Sequence, residues 1–234
     1  MFPIFKYAKA ICKVAMYIGV YYLALVGGIY IIGFSNIGTE PIEDIYRIGS
    51  SIIASQPPWL LLLNFMILAV MFNFFVKEKT NNMDWYSFTG VGVPNFIGLV
   101  VLALILNIAI SVIVTNIFPN TSSNTVDTIK NMGELYPFVL FINLGIVSPI
   151  VEELLFRFLI YNNLECFGTA IATVVSSVLF GIMHGDIIQT LYAMCFGIIF
   201  CMANKSHKSM MPSIIMHCTI NSFTVYNTIL TGGL

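Results

Sequence analysis

Long apolar stretches separated by short polar clusters run the length of the chain. No Asp, Glu, Lys or Arg occurs in Val14–Thr39, Ile48–Val76, Trp85–Val126, Leu135–Val151, Ile187–Asn204 or Ser209–Leu234. A bilayer core of about 30 Å takes roughly 20 apolar residues as helix. Barrel strands would be about 10 residues long and alternate polar with apolar. Runs such as Leu60-Leu61-Leu62-Leu63 and Leu99-Val100-Val101-Leu102 do not alternate. The pattern therefore predicts helical spans near Val14–Gly33, Pro58–Val76, Val93–Phe118, Pro137–Ile160, Thr169–His184, Ile187–Ala203 and Met211–Leu230. Turn chemistry marks the breaks at Ser35-Asn36, Gln56-Pro57-Pro58, Asn81-Asn82 and Asn120–Asn124. The expected fold is all-α, a polytopic membrane bundle of about seven transmembrane helices in a single membrane domain. Residues 1–136 supply helices without diagnostic chemistry, and 137–234 carry the motifs.

Composition narrows the function. The chain has 234 residues, 58% hydrophobic and 9% charged, against about 25% charged in soluble domains. With a net charge of −1 and no basic patch, soluble enzymes, disordered chains and nucleic-acid binders are excluded. Lys and Arg fix an expected orientation. With a cytoplasmic N-terminus, that side receives Lys6, Lys9, Lys13, Lys77, Lys79, Arg157, Lys205 and Lys208, and the other only Arg47 and Lys130. The opposite loops are acidic, with Glu40, Glu43, Asp44, Asp127 and Glu134. The basic start and first apolar stretch read as a retained anchor in a multi-pass protein of the cell membrane, since no small-residue cleavage site follows. Cys12, Cys166, Cys195, Cys201 and Cys218 form no CxxC pair and read as packing residues.

Ionisable groups inside a membrane are costly and mark function by default. Three places break the apolar pattern. In Val151-Glu152-Glu153-Leu154-Leu155-Phe156-Arg157, Glu153 and Arg157 are four apart and share a helix face in the favoured order for an ion pair. Glu152 projects about 100° away and is left as the reactive carboxylate, the bland reading being a charge network that only fixes packing. In Phe180-Gly181-Ile182-Met183-His184, Phe180 and His184 share a face beside a small-residue ridge of Ser177, Gly181 and Gly185. In His217-Cys218-Thr219-Ile220-Asn221, His217 and Asn221 share a face, as a common centre or as a packing hydrogen bond.

Glu-Glu-x-x-x-Arg, then Phe-x-x-x-His, then His-x-x-x-Asn, in this order on successive helices, resembles the CPBP family of intramembrane proteases, which includes CAAX prenyl endopeptidases and bacterial Abi-type proteins. The matching residues are Glu152, Glu153, Arg157, Phe180, His184, His217 and Asn221, within about 137–225. The resemblance implies peptide hydrolysis, with Glu152 and His184 activating water and His217 and Asn221 holding the oxyanion, the two needs of that chemistry. Glu153, Arg157 and Phe180 are the supporting residues. No cofactor is expected. The rival is a zinc enzyme with Glu152, His184 and His217 as ligands, although no His-Glu-x-x-His is present. Serine chemistry lacks Gly-x-Ser-x-Gly, and Ser148 precedes a proline without a nearby base. Aspartyl chemistry lacks a pair of in-membrane Asp, only Asp186 standing near a span. A non-catalytic scaffold or immunity protein is the second class; a transporter would show inverted repeats, and none is seen. The expected partners are the bilayer and a hydrophobic or lipidated peptide or protein.

One geometric condition follows. At 1.5 Å per residue, Glu152 lies roughly 12 Å and His217 roughly 9 Å from the cytoplasmic ends of their spans, but His184 roughly 22 Å from Thr169. A shared site requires the fifth helix to start late or the Tyr161–Gly168 connection to sit away from the membrane plane.

Overall fold

A computed structural model describes residues 3–36, 42–79, 91–118, 129 and 136–231. Within them the chain forms helices α1 (Pro3–Asn36), α2 (Ile42–Ser55), α3 (Pro57–Lys79), α4 (Val93–Ile117), α5 (Pro137–Phe167), α6 (Thr169–Ile182), α7 (Ile187–His207) and α8 (Met211–Thr231). All are apolar-rich, and the fold is a polytopic helical bundle. The predicted breaks at Asn81-Asn82 and Asn120–Asn124, and Glu40, Asp127, Lys130 and Glu134, lie outside the described residues.

Helices occupy all seven predicted segments. By length and composition α1, α3, α4, α5 and α7 can cross a membrane. The 14 residues of α6 span about 21 Å, short of a 30 Å core. At 21 residues α8 is long enough but is interrupted by Ser213, His217, Asn221, Ser222, Thr224 and Asn227. On α4 the side chains of Val101, Ile105, Ile108, Val112 and Ile113 are exposed, which suits a lipid-facing surface, because lipid tails are as apolar as these residues.

Two corrections concern α1 and α2. The first helix begins at Pro3 rather than near Val14. The acidic stretch after Asn36, expected as loop, contains the amphipathic helix α2. Its Ile45 and Ile53 are buried, while Asp44 and Arg47 pair on the exposed side at 3.0 Å. Charges at 43, 44 and 47 hid this helix from a search for unbroken apolar runs. Gly33 of α1 and Gly49 of α2 let the helices touch: a side chain on Gly33 would strike the Ile45 carbonyl, and one on Gly49 the Ile29 carbonyl.

The third correction meets the depth condition. The helix that bears the two glutamates does not stop at Ile160 but runs on to Phe167, where Phe167 stacks on Tyr7 of the extended α1 with ring centroids 4.7 Å apart. Glu152 thus stands 15 residues before Phe167, and His184 stands 15 residues after Thr169. Both lie about 22 Å from the α5–α6 turn and are level. The α7–α8 turn is tucked into the bundle instead: Lys208 takes φ 50°, Ser209 and Met210 are buried, and Asn204 bonds Ser213 through both ends of its amide. That inward turn brings His217 to the same depth with only six residues of helix before it.

Within α5 the stretches 143–147 and 154–160 are π-helical, a local widening that often accompanies functional sites. Its loosened carbonyls receive side chains of α8. Asn221 Nδ2 donates to Leu144 O at 3.1 Å and Ser222 Oγ to Gly145 O at 3.2 Å.

Candidate active site

Glu153 is fully buried and carries the densest set of polar contacts in the bundle. Arg157 Nε lies 3.4 Å from its Oε2, and His217 Nδ1 lies 2.9 Å from its Oε1. A carboxylate only accepts, so His217 donates from Nδ1. The Arg157 guanidinium, 1% exposed, is otherwise enclosed by aromatic faces, with its carbon 4.3 Å from the Phe180 centroid and 5.4 Å from that of Phe200. Desolvated cation–π contacts are worth about 2 kcal/mol or more, so Phe180 and Phe200 stabilise a charge that hydrogen bonds do not reach.

Glu152 has a different environment. Ser148 Oγ, one turn earlier, donates to its Oε1 at 2.7 Å, and its Oε2 is buried with no hydrogen-bond partner. The His217 ring faces that oxygen, with Nε2 3.6 Å away, beyond hydrogen-bond length. His217 therefore stands between the two carboxylates, bonded to one and facing the other.

His184 lies not on α6 but in the turn after Ile182. Its Nδ1 donates to Phe180 O at 2.8 Å, which leaves Nε2 with its lone pair. Phe180 is 2% exposed and edge-on to both imidazoles, with centroids 4.9 Å from His184 and 5.6 Å from His217. Gly181 lets α6 approach α7, since a side chain there would meet Thr190 O at 2.6 Å.

Two cavities meet at Phe180 and His184. One, of about 110 Å³, is lined by Glu152, His184, Met183 and, from α1, Tyr21 and Tyr22. It has room for water, which needs only about 10–15 Å³ of such space. The other, about 500 Å³, lies among α4, α7 and α8 and contains His184, His217 and Asn221 in its wall, within the usual size of ligand sites. The structure thus brings Glu152, Glu153, Arg157, Phe180, His184 and His217 into one cluster, with Asn221 facing the larger cavity and tied by one N–H to α5.

A metal reading needs Glu152, His184 and His217 to converge. Among the described residues no group of three or more His, Cys, Asp or Glu is gathered as a metal ion requires. The residues as they stand do not fit a zinc ligand set.

Sequence reasoning missed Ser148, Phe200 and Asn107. Ser148 was dismissed as a nucleophile, yet its i, i+4 spacing to Glu152 was the available signal. Phe200 and Asn107 are brought to the cluster only by tertiary packing.

This arrangement defines a class, that of membrane helix bundles with a buried Glu/His centre. Residues 134–223 match the family model described as "Type II CAAX prenyl endopeptidase Rce1-like", a match that supports the resemblance of this segment to CPBP membrane proteases. The chain is 32% identical over 105 residues to "Putative membrane peptidase YdiL" of Bacillus subtilis (strain 168), covering 44% of this chain and 42% of that protein. It is 30% identical over 135 residues to "Membrane-embedded CAAX protease MroQ" of Staphylococcus aureus (strain USA300), covering 53% of each. The chain spans about half the length of these curated relatives, or less. No solved structure gives a significant match.

Proposed function

We propose that this protein is an intramembrane endopeptidase that hydrolyses a peptide bond of a hydrophobic or lipidated, membrane-associated peptide or protein, without a metal. One observation carries the reading: of two adjacent glutamates at membrane depth, Glu153 is taken up by Arg157 and His217, while Glu152 keeps an unpartnered oxygen beside a cavity with room for water, shared with His184. The family match and the names of both relatives support it.

In this reading a water in the smaller cavity gives hydrogen bonds to the Glu152 carboxylate and to His184 Nε2, both acceptors, and so turns its own lone pair toward the substrate. Its oxygen attacks the scissile carbonyl carbon as the proton passes to this pair. The carbonyl oxygen becomes an oxyanion and is met by the second N–H of Asn221 and, when the ring carries both protons, by His217 Nε2–H. Collapse breaks the C–N bond, and the proton held by the Glu152–His184 pair goes to the leaving amine. Ser148 and Phe180 act by position. The distribution of Lys and Arg supports a cytoplasmic N-terminus.

The test is peptide profiling of cell membranes that contain the intact protein or Glu152→Gln at equal abundance. Peptides that appear only with the intact protein support hydrolysis. An identical peptide set, with a cellular phenotype retained by Glu152→Gln, assigns the chain to scaffolding instead.

A further inference from the structure

The larger cavity reaches from His184 and His217 to the middle of α4, a helix outside the matched family segment. Asn107 stands in its wall, 6% exposed, with Oδ1 lacking any hydrogen-bond partner. Two other polar side chains of α4 bond within the helix: Thr115 donates to Ser111 O and Asn116 to Val112 O. Asn107 does not, and an unpaired polar group at membrane depth is costly. One turn earlier, Ala103 is fully buried in one cluster with Ile215 and Ile220 of α8, whereas at Asn107 the helix lines the cavity. Across the opening α8 presents Asn221 and Thr224.

We propose that this cavity is a main-chain-reading subsite, in which Asn107 Oδ1 accepts a backbone N–H from an extended, unwound peptide next to the scissile bond. The inference rests on the peptidase reading above. A helical substrate keeps its carbonyls in its own ladder, so hydrolysis requires local unwinding. In lipid the freed N–H and C=O groups have no water to turn to and must be satisfied by protein. A trans peptide group points its C=O and N–H in opposite directions. An acceptor on α4 and a donor on α8 therefore fit extended backbone, and they read no side chain. The substrate class is a segment that unwinds readily, set by backbone more than by a side-chain motif.

The experiment measures binding of a short dansyl-labelled Leu/Ala/Gly peptide, and of single ester-for-amide analogues that each delete one N–H, to full-length protein in nanodiscs. Glu152→Gln is the background, so that nothing is cleaved. One ester position is expected to weaken binding about tenfold. In Asn107→Leu the same ester is expected to cost nothing further, and Asn107→Ala serves if the leucine variant does not accumulate. An ester penalty that persists in the Asn107 variants, or no penalty at any position, overturns the subsite. Cleavage of the amide peptides by protein with native Glu152, in that case, leaves the peptidase reading standing. The coupled ester effect without any cleavage upholds the subsite and removes the peptidase reading.

Discussion

His217 Nδ1 lies 2.9 Å from Glu153 Oε1, and the same carboxylate lies 3.4 Å from Arg157 Nε, so one fully buried glutamate orients the imidazole and neutralises the guanidinium together. Removing one partner of a buried ion pair leaves a charge uncompensated, at about 3–5 kcal/mol. Glu153→Ala and Arg157→Ala are each expected to lower the thermal stability of the detergent-solubilised protein and its folded yield, with activity falling in parallel. Glu152→Ala removes a partly buried carboxylate whose Oε2 has no hydrogen-bond partner and is expected to leave stability unchanged or raised while turnover is lost. Melting curves beside cleavage of a hydrophobic test peptide decide it. An unstable Glu152→Ala with a stable Glu153→Ala reverses the two roles.

Much of this division was legible in the sequence. Glu153 and Arg157 lie four apart, and the pairing survives the π-helical widening between them. The seven apolar segments were legible because lipid demands long uncharged runs. What escaped depended on geometry beyond the run: α2 is amphipathic, and α5 continues through Asn162, Asn163 and Glu165, where hydropathy falls but the helix still packs on α1 and α6. Nothing in the sequence around Asn107 marks it out; packing places it in the cavity wall.

Ser148 gives Glu152 its one hydrogen bond, at 2.7 Å. A hydrogen bond to a charged group is worth about 1.5–3 kcal/mol. Ser148→Ala is expected to lower kcat by about 10- to 100-fold with KM little changed, because the serine touches the base and not the substrate. Ser148→Thr keeps the hydroxyl and is expected to restore most of the rate. Equal loss in both variants would show that the contact does not matter.

Because no ligand set is gathered among the described residues, activity of purified protein is expected to survive exhaustive chelation. Cleavage that disappears with chelator and returns with added Zn²⁺ assigns Glu152, His184 and His217 to a metal.

With Arg157 set aside because it is buried against Glu153, the seven-to-two bias of Lys and Arg predicts a cytoplasmic N-terminus and, with seven crossings, an external C-terminus. The amphipathic α2, at 14 residues with Asp44 and Arg47 exposed, adds no crossing. A reporter fused after Leu234 is expected to read external. A cytoplasmic reading means an even number of crossings, with α6 the first candidate for a helix that enters without spanning.

The contact between α5 and α8 that positions Asn221 depends on Gly145. A Cβ there would lie 2.7 Å from Ser222 Oγ and 3.3 Å from Ser222 Cα, distances at which something must shift. The neighbouring carbonyls are those that Asn221 and Ser222 bond, so a forced separation moves the oxyanion donor along with the helix. Overpacking of this kind costs about 1–3 kcal/mol. Gly145→Ala is expected to lower both melting temperature and kcat, and Gly145→Val to lower them further. Ser222→Gly in the same chain is expected to recover part of each loss, as coupled neighbours do. Gly98→Ala on α4, with nothing within 4 Å, is the control and is expected to be neutral or slightly stabilising. A Gly145→Ala protein with native kcat would show that Asn221 is not held in place by this contact.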